Sequence, residues 1–266
     1  MDTITMKALV LAAGLGERVR PLTDTLPKPM LEVGGRPLIY YPLMMLRHAG
    51  FAAVVINVHH LAGEIQKRLG NGSSLGLEII YSPEPTLLGT GGPLNALRDF
   101  LADGTFAIAN SDSILDLDMA AMLRFHRERG ALATLALHQP GNLEAYSHVE
   151  IDADRRVRRL RLLRTGASAS FDDYPAEPRD CDPAALTSWM YCGAMIAEPA
   201  VLDLVPESPP WSLMTGLIGP MVAQGLPVFG YPHHGYFRTV DDLESYRALV
   251  REFEISPPAL PYLGRK

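Results

Sequence analysis

The sequence is poor in cysteine and in long apolar runs, and each shortage excludes a class of protein. Two cysteines, Cys181 and Cys192, among 266 residues are too few for a disulfide framework or a four-thiolate zinc site. No apolar stretch approaches the roughly 20 residues that a membrane helix needs. Residues 1–14 lack the basic stretch that precedes the apolar run of a signal peptide. We therefore expect unpaired thiols, no membrane partner and a cytoplasmic location.

Positive charge is also scarce, since the formal net charge is −6 at pH 7. A protein that binds nucleic acid generally needs a basic surface to neutralise phosphates, so nucleic acid is not an expected partner. A local positive pocket for one nucleotide remains compatible with this balance. The hydrophobic content of 47% is ordinary for a globular protein. The length suits one large α/β domain or two small ones.

Strand-like and helix-like segments alternate over the first half of the chain. Apolar runs bounded by glycine and polar residues predict strands at 7–12, 53–58, 77–81, 106–109 and 131–137. Amphipathic stretches predict helices at 37–49, 61–69, 91–100 and 118–129. This order predicts an α/β fold with a doubly wound, mostly parallel, Rossmann-like sheet. Because ligands of such sheets bind beyond the carboxyl ends of the strands, "AAGLGER" and "NSD" are both placed to contribute to a site.

From about residue 141 the alternation breaks down, which indicates a small inserted β lobe. Residues 146–152 and 155–163 predict a hairpin, and 164–183 form a polar, proline-rich stretch read as a loop. Further segments follow, predicted as a strand at 187–197, helices at 198–205 and 212–225, a strand at 226–231 and a closing helix at 241–253. We expect one domain over 1–266, with a core at about 6–140, a lobe at about 141–240 and the closing helix at about 242–254.

A glycine-rich turn follows the first predicted strand, where "LVLAAGLGERVR" passes from apolar residues to Gly14, Gly16, Arg18 and Arg20. Glycine lets the backbone approach an anion closely, and arginine grips phosphate oxygens with two parallel hydrogen bonds. The dinucleotide fingerprint would need glycine at Val19, and the Walker A motif needs a Gly-Lys-Ser/Thr that does not follow. From these residues alone, a phosphate-holding loop and a tight turn with solvated arginines both remain open.

Two charged residues further along the chain, Lys28 and Asp112, each have two possible interpretations as well. Lys28 lies between Pro27 and Pro29, and the chain has only four lysines against twenty arginines. A compact ammonium on a stiff backbone is one interpretation of Lys28, and a surface lysine in a proline-rich loop is the other. Asp112, in "NSDS" after a predicted strand, is either a metal ligand or a turn or capping residue.

The longer stretch "LAAGLGERVRPLTDTLPKPMLEVGGRPLI" is similar to the signature of the sugar-1-phosphate nucleotidylyltransferase family. The resemblance continues through "INVHHLAGEIQKRLG", "IIYSPEPTLLGTGGPLNAL", "FAIANSDSI" and "YCGAMIAEPAVLDLVPES". It implies a nucleotidyltransferase-type (GT-A-like) fold. The Gly-Glu-Arg form of the loop resembles the subgroup of short N-acetylmuramate-1-phosphate uridylyltransferases and mannose- or heptose-1-phosphate guanylyltransferases.

The resemblance implies an enzyme that moves an NMP from an NTP to a sugar 1-phosphate, with Mg²⁺ as cofactor. It implies that Arg18 clamps the triphosphate, that Lys28 neutralises charge at the reacting α-phosphate, and that Asp112 coordinates the metal. The nucleotide-binding residues that it implies are Leu11, Ala12, Ala13, Gly14, Leu15, Gly16, Glu17, Glu84, Gly89 and Thr90.

On the acceptor side the sequence departs from the family pattern. Where the family has a second metal aspartate, this chain has Thr239, or Arg238 in an alternative register. Asp241 and Asp242 lie close by in sequence; either could serve as the missing carboxylate, or both could simply begin the closing helix.

The family's E-K-P segment is replaced by "RRVRRLRLLRT", and its N-A-G asparagine by Tyr191. Arg161 or Arg164 could take over binding of the sugar phosphate, although an exposed arginine-rich hairpin is the alternative. The acceptor-binding residues that we predict are Ser147, Glu150, Arg161, Arg164 and Thr239.

Two hypotheses follow from this uneven match. In the first, the protein is a nucleotidyltransferase with an altered acceptor pocket. In the second, it is a catalytically weakened homologue that binds a nucleotide or sugar nucleotide in a regulatory or scaffold role. The presence of Arg18, Lys28 and Asp112 together favours the enzyme.

Overall fold

The computed structural model describes residues 6–164, 170–175, 177–178 and 181–264. Its strands, in chain order, are β1 (Lys7–Leu11), β2 (Glu32–Val33), β3 (Arg36–Pro37), β4 (Ala53–Val58), β5 (Glu78–Pro83), β6 (Phe106–Asn110), β7 (Ser113–Leu115), β8 (Ala133–His138), β9 (His148–Ile151), β10 (Val157–Arg164), β11 (Ser170–Tyr174), β12 (Thr187–Ala197), β13 (Val228–Pro232) and β14 (Phe237–Thr239). Its α-helices are α1 (Tyr40–His48), α2 (Ala62–Leu69), α3 (Pro93–Ala96), α4 (Arg98–Leu101), α5 (Met119–Glu128), α6 (Gly219–Ala223) and α7 (Leu243–Ile255). None of the helices among these residues is long and apolar enough to cross a membrane.

The chain forms two compact units. The first unit consists of Met1–Leu87, Phe106–Ala120 and Gly235–Lys266, and the second unit of Leu88–Thr105 and Ala121–His234. The predicted mixed α/β class with a mostly parallel sheet is confirmed. The division into a core, a lobe and a closing helix stays a prediction.

The first unit is built on four parallel strands in the order β5–β4–β1–β6. Strand β4 is buried at all six positions, as expected of a strand covered on both faces. The chain moves outward from β1 to β4 and β5, and then returns to the other side of β1 with β6. Strand β1 therefore marks the point where the strand order reverses, which is where ligands bind in open α/β sheets.

Two short antiparallel pairs in the first unit escaped the sequence analysis, β2 with β3 and β7 with β14. Strands of two or three residues carry no periodic pattern that could be recognised. The pairing of β7 with β14 sets Thr239 opposite Ser113. It therefore joins the segment after β6 to the segment before the closing helix α7.

The second unit carries the strand order β11–β10–β9–β12–β8–β13, in which only β8 and β13 run parallel. The predicted hairpin is confirmed as the antiparallel pair β9 and β10. The prediction of a loop over 164–183 was wrong at β11, which pairs antiparallel with β10. Arg161 stands directly opposite Asp173, so opposite charges rather than apolar alternation mark this pairing. Residues 165–169, 176 and 179–180 of that predicted loop lie outside the described residues.

Several predicted helices exist but are shorter or of another type. Helix α1 begins at Tyr40 instead of residue 37, because Arg36–Pro37 pairs as strand β3. The predicted helix at 91–100 is two short helices, α3 and α4. The helix at 198–205 is a 3₁₀-helix over Pro199–Leu204, and the helix at 212–225 is a π-helical segment leading into α6.

A buried polar network inside the second unit connects α5 to β8. His126 is 1% exposed, and its Nδ1 lies 2.8 Å from Thr134 Oγ1 while its Nε2 lies 3.0 Å from Glu198 Oε1. Thr105 Oγ1 donates to the same glutamate oxygen. Burial lowers the pKa of His126, against the opposing effect of the Glu198 carboxylate. The two cysteines are free thiols, as predicted, with Cys192 buried.

The network predicts that the protein loses stability as the pH falls below about 6.5, the ordinary pKa of histidine. The unfolded chain then binds a proton at position 126 that the buried imidazole resists, so the unfolding free energy decreases. We expect His126→Gln, which cannot titrate, to lack this component in urea unfolding followed between about pH 5 and about pH 8. Parallel pH curves for the wild type and the variant would contradict the prediction.

Candidate active site

A lysine and an aspartate that are 84 positions apart in sequence meet at the carboxyl end of strand β6. Lys28 Nζ lies 2.6 Å from Asp112 Oδ2, with the two side chains 14% and 26% exposed. Lys28 is held in a 3₁₀ turn, Lys28–Met30, which Pro27 precedes in an extended conformation. The pair is therefore a charge-assisted contact between a braced ammonium and a strand-end carboxylate.

Backbone and hydroxyl contacts fix the position of Asp112. Just before it, Ser111 Oγ donates to Leu11 O at 2.6 Å, which ties the end of β6 to the end of β1. On the other side, Val240 N donates to Asp112 O at 3.1 Å. Ser113 Oγ donates to Thr239 Oγ1 at 3.3 Å. Thr239 thus lies beside the aspartate but contributes a hydroxyl rather than a carboxylate.

Asp241 brings a second carboxylate to the same place. Burial is the main cause that raises the pKa of Asp241, and the negative charge of Asp112 raises it further. The positive charges of Lys28 and Arg18 lower it. Arg18 Nη2 lies 3.9 Å from Asp241 Oδ1. Two cations and two anions are therefore within electrostatic reach of one another, and Arg18, Lys28 and Asp112 share one neighbourhood.

The neighbouring Asp242 has a different role. Its carboxylate accepts from Ser245 N at 2.8 Å, and Ser245 Oγ accepts from Asp242 N at 2.9 Å, which forms a capping box at the start of α7. The Ser245 backbone N–H lowers the pKa of Asp242. Of the two sequence interpretations, the helix start is confirmed for Asp242, while Asp241 faces Arg18 instead.

The glycine-rich loop after β1 is supported by contacts around Gly16, whereas the space beside Gly14 is open. Gly16 has φ +66°, and a Cβ there would come within 2.9 Å of the Thr23 methyl group, so only glycine fits. Thr23 Oγ1 donates to Gly16 O at 2.8 Å, and His60 Nε2 donates to Thr23 O at 3.0 Å. Nothing lies within 4 Å of a Cβ placed on Gly14. The loop can therefore accept a ligand against its backbone without rearranging its support.

The start of that loop depends on a residue that the sequence analysis missed. Buried Asn57, on β4, accepts from Ala12 N at 2.8 Å and donates to Glu84 Oε1 at 2.7 Å. His59 Nδ1 donates to Glu84 O at 2.7 Å. Glu84 therefore stabilises the start of the loop indirectly, because it accepts a hydrogen bond from the same Asn57 side chain that binds Ala12 N. The available signal was the position of "NVHH" at the carboxyl end of β4, next to β1 in the sheet.

The remaining nucleotide-binding candidates, Gly89 and Thr90, lie in the second unit. Gly89 has φ +78°, and both residues are exposed. Thr90 Oγ1 accepts from Leu213 N at 2.9 Å. The turn is therefore held from one side by the segment around Leu213.

Four of the five acceptor-binding candidates also lie in the second unit, where protein groups already engage them. Ser147 Oγ accepts from Leu163 N at 2.9 Å. Arg161 donates to Asp173 at 3.1 Å, and Arg164 pairs with Asp172.

Buried Glu150 accepts from Arg159 at 2.5 Å and from Ser188 Oγ at 3.3 Å. The Glu150 hydrogen bond raises the pKa of Arg159. Arg159, which the sequence analysis did not single out, therefore fixes the orientation of Glu150.

Known families provide an independent comparison. A family model described as nucleotidyl transferase matches residues 7–161, which is more than half of the chain. This chain belongs to the nucleotidyl transferase family. The matched stretch contains the glycine-rich loop, Lys28 and Asp112.

Individual relatives are also similar to this chain, one of them over a longer stretch than the family model. The chain is 34% identical over 236 residues to a UTP–glucose-1-phosphate uridylyltransferase from Synechocystis, a match that covers 84% of this chain and 57% of the relative. It is 48% identical over 117 residues to an N-acetylmuramate α-1-phosphate uridylyltransferase from Neisseria meningitidis, covering 44% of this chain and 51% of the relative. The chain thus spans little more than half the length of these two relatives.

A solved structure matches the fold over nearly the whole chain. It is that of a Bacillus anthracis protein with a proposed glucose-1-phosphate thymidylyltransferase assignment. The TM-score is 0.75 at 18% identity, and the match covers 98% of this chain and 100% of the other. The chain therefore shares its fold with that protein.

The bridging position of Asn57 predicts a marked loss of stability in Asn57→Ala. That substitution removes the acceptor of the buried Ala12 N–H and one donor to the Glu84 carboxylate, at a cost of about 1–3 kcal/mol. Asn71, an exposed asparagine that accepts from Ser73 N at 3.1 Å, is the matched control. Asn71→Ala should stay within about 0.5 kcal/mol of the wild type in denaturant unfolding. Equal losses in both variants would contradict the bridging role.

Proposed function

We propose that the protein transfers an NMP from an NTP to a sugar 1-phosphate, with release of pyrophosphate and formation of an NDP-sugar. Membership in the nucleotidyl transferase family supports this reaction class, and the relatives named above act on sugar 1-phosphates. The observation that carries the proposal is the contact of Lys28 with Asp112 beside an open glycine-rich loop, at the reversal point of the sheet. No observation favours the weakened regulatory homologue.

The residues of the first unit suit the nucleotide half of this reaction. We assign the backbone from Leu11 to Glu17 to the nucleotide. Because Ala12 N already donates to Asn57, the N–H groups for the triphosphate would come from the residues after Ala12, and Arg18 is 72% exposed at the edge of the loop. Lys28 supplies positive charge at the α-phosphate. One phosphate oxygen of the sugar 1-phosphate attacks the α-phosphorus, the bond from that phosphorus to the bridging oxygen breaks, and pyrophosphate leaves. Neutralising charge and aligning two anions is most of what such a transfer needs.

The donor set near Lys28 fits Mg²⁺. Among the residues that the structure describes, no group of three or more His, Cys, Asp or Glu is arranged to hold a metal. Mg²⁺ is compatible with fewer protein ligands, because it usually keeps several waters and binds substrate phosphates through one or two carboxylates. Asp112 and Asp241 are the two carboxylates that would hold it. When bound, it would neutralise charge on the phosphates.

The contact between Lys28 and Asp112 has a consequence for this arrangement. Lys28 Nζ contacts one of the two carboxylate oxygens of Asp112 at 2.6 Å. A phosphate that draws Lys28 away frees Asp112, so the triphosphate and the metal support each other's binding.

We assign the acceptor side to Ser147, Glu150, Arg161, Arg164 and Thr239, as the sequence predicts. Arg161 and Arg164 are paired with Asp173 and Asp172. A sugar phosphate at these arginines would have to compete with the two aspartates. Glu150, held by Arg159, keeps a fixed carboxylate for sugar hydroxyls. We retain the cytoplasm as the predicted location, and we propose no nucleic-acid partner.

The test is release of pyrophosphate in the presence of Mg²⁺, with UTP, GTP, ATP, CTP and dTTP each combined with a panel of sugar 1-phosphates. We expect Lys28→Ala and Asp112→Asn to lower kcat on the order of a hundredfold or more, because the first removes positive charge at the reacting phosphate and the second removes a carboxylate that would hold Mg²⁺. Lys67→Ala, at an exposed lysine on α2, should leave kcat unchanged. Full activity in both site variants would refute the mechanism. Nucleotide binding without turnover for any substrate pair would support the regulatory homologue.

The position of Asp241 yields a separate prediction that does not depend on turnover. We expect Asp241→Asn to weaken binding of Mn²⁺, a paramagnetic substitute for Mg²⁺, by about tenfold. The same variant should unfold at a higher temperature without metal, because the raised pKa of Asp241 means that its charge opposes folding at neutral pH. Asp242→Asn, which keeps a good helix cap, should leave the Mn²⁺ affinity unchanged and should not raise the unfolding temperature, because the lowered pKa of Asp242 means that its charge favours folding. Unaltered Mn²⁺ affinity in Asp241→Asn, measured by electron paramagnetic resonance, would remove Asp241 from the metal site.

A further inference from the structure

One segment of the second unit lies directly against the turn that contains Gly89 and Thr90. This segment, residues 209–213, is called the tryptophan segment, because Trp211 is at its centre. Trp211 N donates to Leu88 O at 3.1 Å, and Gly91 N donates to Trp211 O at 3.0 Å. The turn and the tryptophan segment therefore pair through their backbones on either side of Gly89 and Thr90.

The glycines of the turn are explained by this contact. A Cβ at Gly91 would lie 2.0 Å from the indole ring of Trp211, and a Cβ at Gly89 would lie 2.4 Å from Trp211 O. A Cβ at Gly216, which follows the tryptophan segment, would lie 2.7 Å from the same ring. The indole thus fills the space that side chains at Gly91 and Gly216 would need.

Polar contacts fix the orientation of the indole. Trp211 Nε1 donates to Asn95 Oδ1 at 3.0 Å, and Asn95 Nδ2 donates to Pro206 O at 2.7 Å. Leu213 N donates to Thr90 Oγ1 at 2.9 Å. The ring is therefore held at its polar edge as well as by packing, which favours a single position.

The contacts are distributed unevenly over the turn. Gly91 and Gly92 are buried, whereas Gly89 and Thr90 are exposed. The tryptophan segment supports the turn from the inside and leaves its outer face open. The contacts that the structure shows for Trp211 are with the turn and its supports, so the role argued for it is that of a positioning residue.

We propose that Trp211 holds the Gly89–Thr90 turn in the conformation that binds the base of the nucleotide. This inference rests on the proposed function and on the family resemblance of "LGTGG", which implies that Gly89 and Thr90 line the base pocket of the NTP. In this proposal the backbone of the turn makes the contacts with the base. A small displacement of the turn therefore weakens nucleotide binding without affecting binding of the sugar phosphate. The chain has only two tryptophans, so the indole can also report on the turn directly.

The first measurement uses the fluorescence of Trp211 in a Trp189→Phe background. Trp189 contacts His234 and Thr187 rather than the turn, so its replacement leaves the proposed element intact. We expect Trp211 emission to change on titration with UTP or GTP plus Mg²⁺, and to saturate at the Kd that calorimetry gives for the same nucleotide. The Trp211→Phe variant, in which Trp189 is the one tryptophan left, should show no such change in emission when the nucleotide is added.

The second measurement separates positioning from general stability through kinetics. We expect Trp211→Ala to raise KM for the NTP by about tenfold, with kcat and KM for the sugar 1-phosphate changed by less than about twofold. Trp211→Phe, which keeps an aromatic ring against Gly91, should recover most of the NTP affinity.

Nucleotide binding in calorimetry without a response of Trp211 emission would overturn the inference while leaving the proposed function intact. A Trp211→Ala protein that loses kcat and both KM values equally would also overturn it, since this indicates a structural role only. If Trp211→Ala does not fold, the fluorescence measurement in the Trp189→Phe background still decides. Absence of binding by every NTP to the wild type would refute the proposed function, and this inference with it.

Discussion

The parallel pairing of β1 with both β4 and β6 is the constraint on which the candidate site depends. The three strands end at the same edge, so the glycine-rich loop, Asn57 and Asp112 are neighbours although they come from distant parts of the sequence. Hydrogen bonds across that edge, from Ala12 N to Asn57 and from Ser111 Oγ to Leu11 O, hold these neighbours in place. A site assembled from strand ends in this way is rigid where it is anchored and open where a ligand arrives.

Cations and anions of this site face one another. Lys28 faces Asp112, and Arg18 approaches Asp241. Each cation keeps an anion near it, which limits the cost of placing like charges together in a partly buried site. Under the proposed function, a triphosphate would compete with the aspartates for these cations.

The parts of the fold that could be predicted are those with a strong local signal. Strand β4 was predicted with its observed bounds because it is apolar at nearly every position. Strand β11 was missed because its pairing depends on charged partners in β10, and β14 because it has three residues. Lys28 and Asp112 were recognised from motifs, but Asn57 was not, since its function depends on a neighbour 45 residues away. Sequence alone did not distinguish Asp241 from Asp242, because either can begin a helix and only tertiary packing orients their carboxylates.

The interlocking of the indole with the backbones of Gly91 and Gly216 limits how this protein can diverge. A methyl group at either glycine would overlap the ring, while a smaller residue at position 211 would leave a void beneath the turn. Single-step changes at these three positions are therefore disfavoured, and related sequences should vary there in concert. Changes to the turn and to the tryptophan segment would therefore have to be made together.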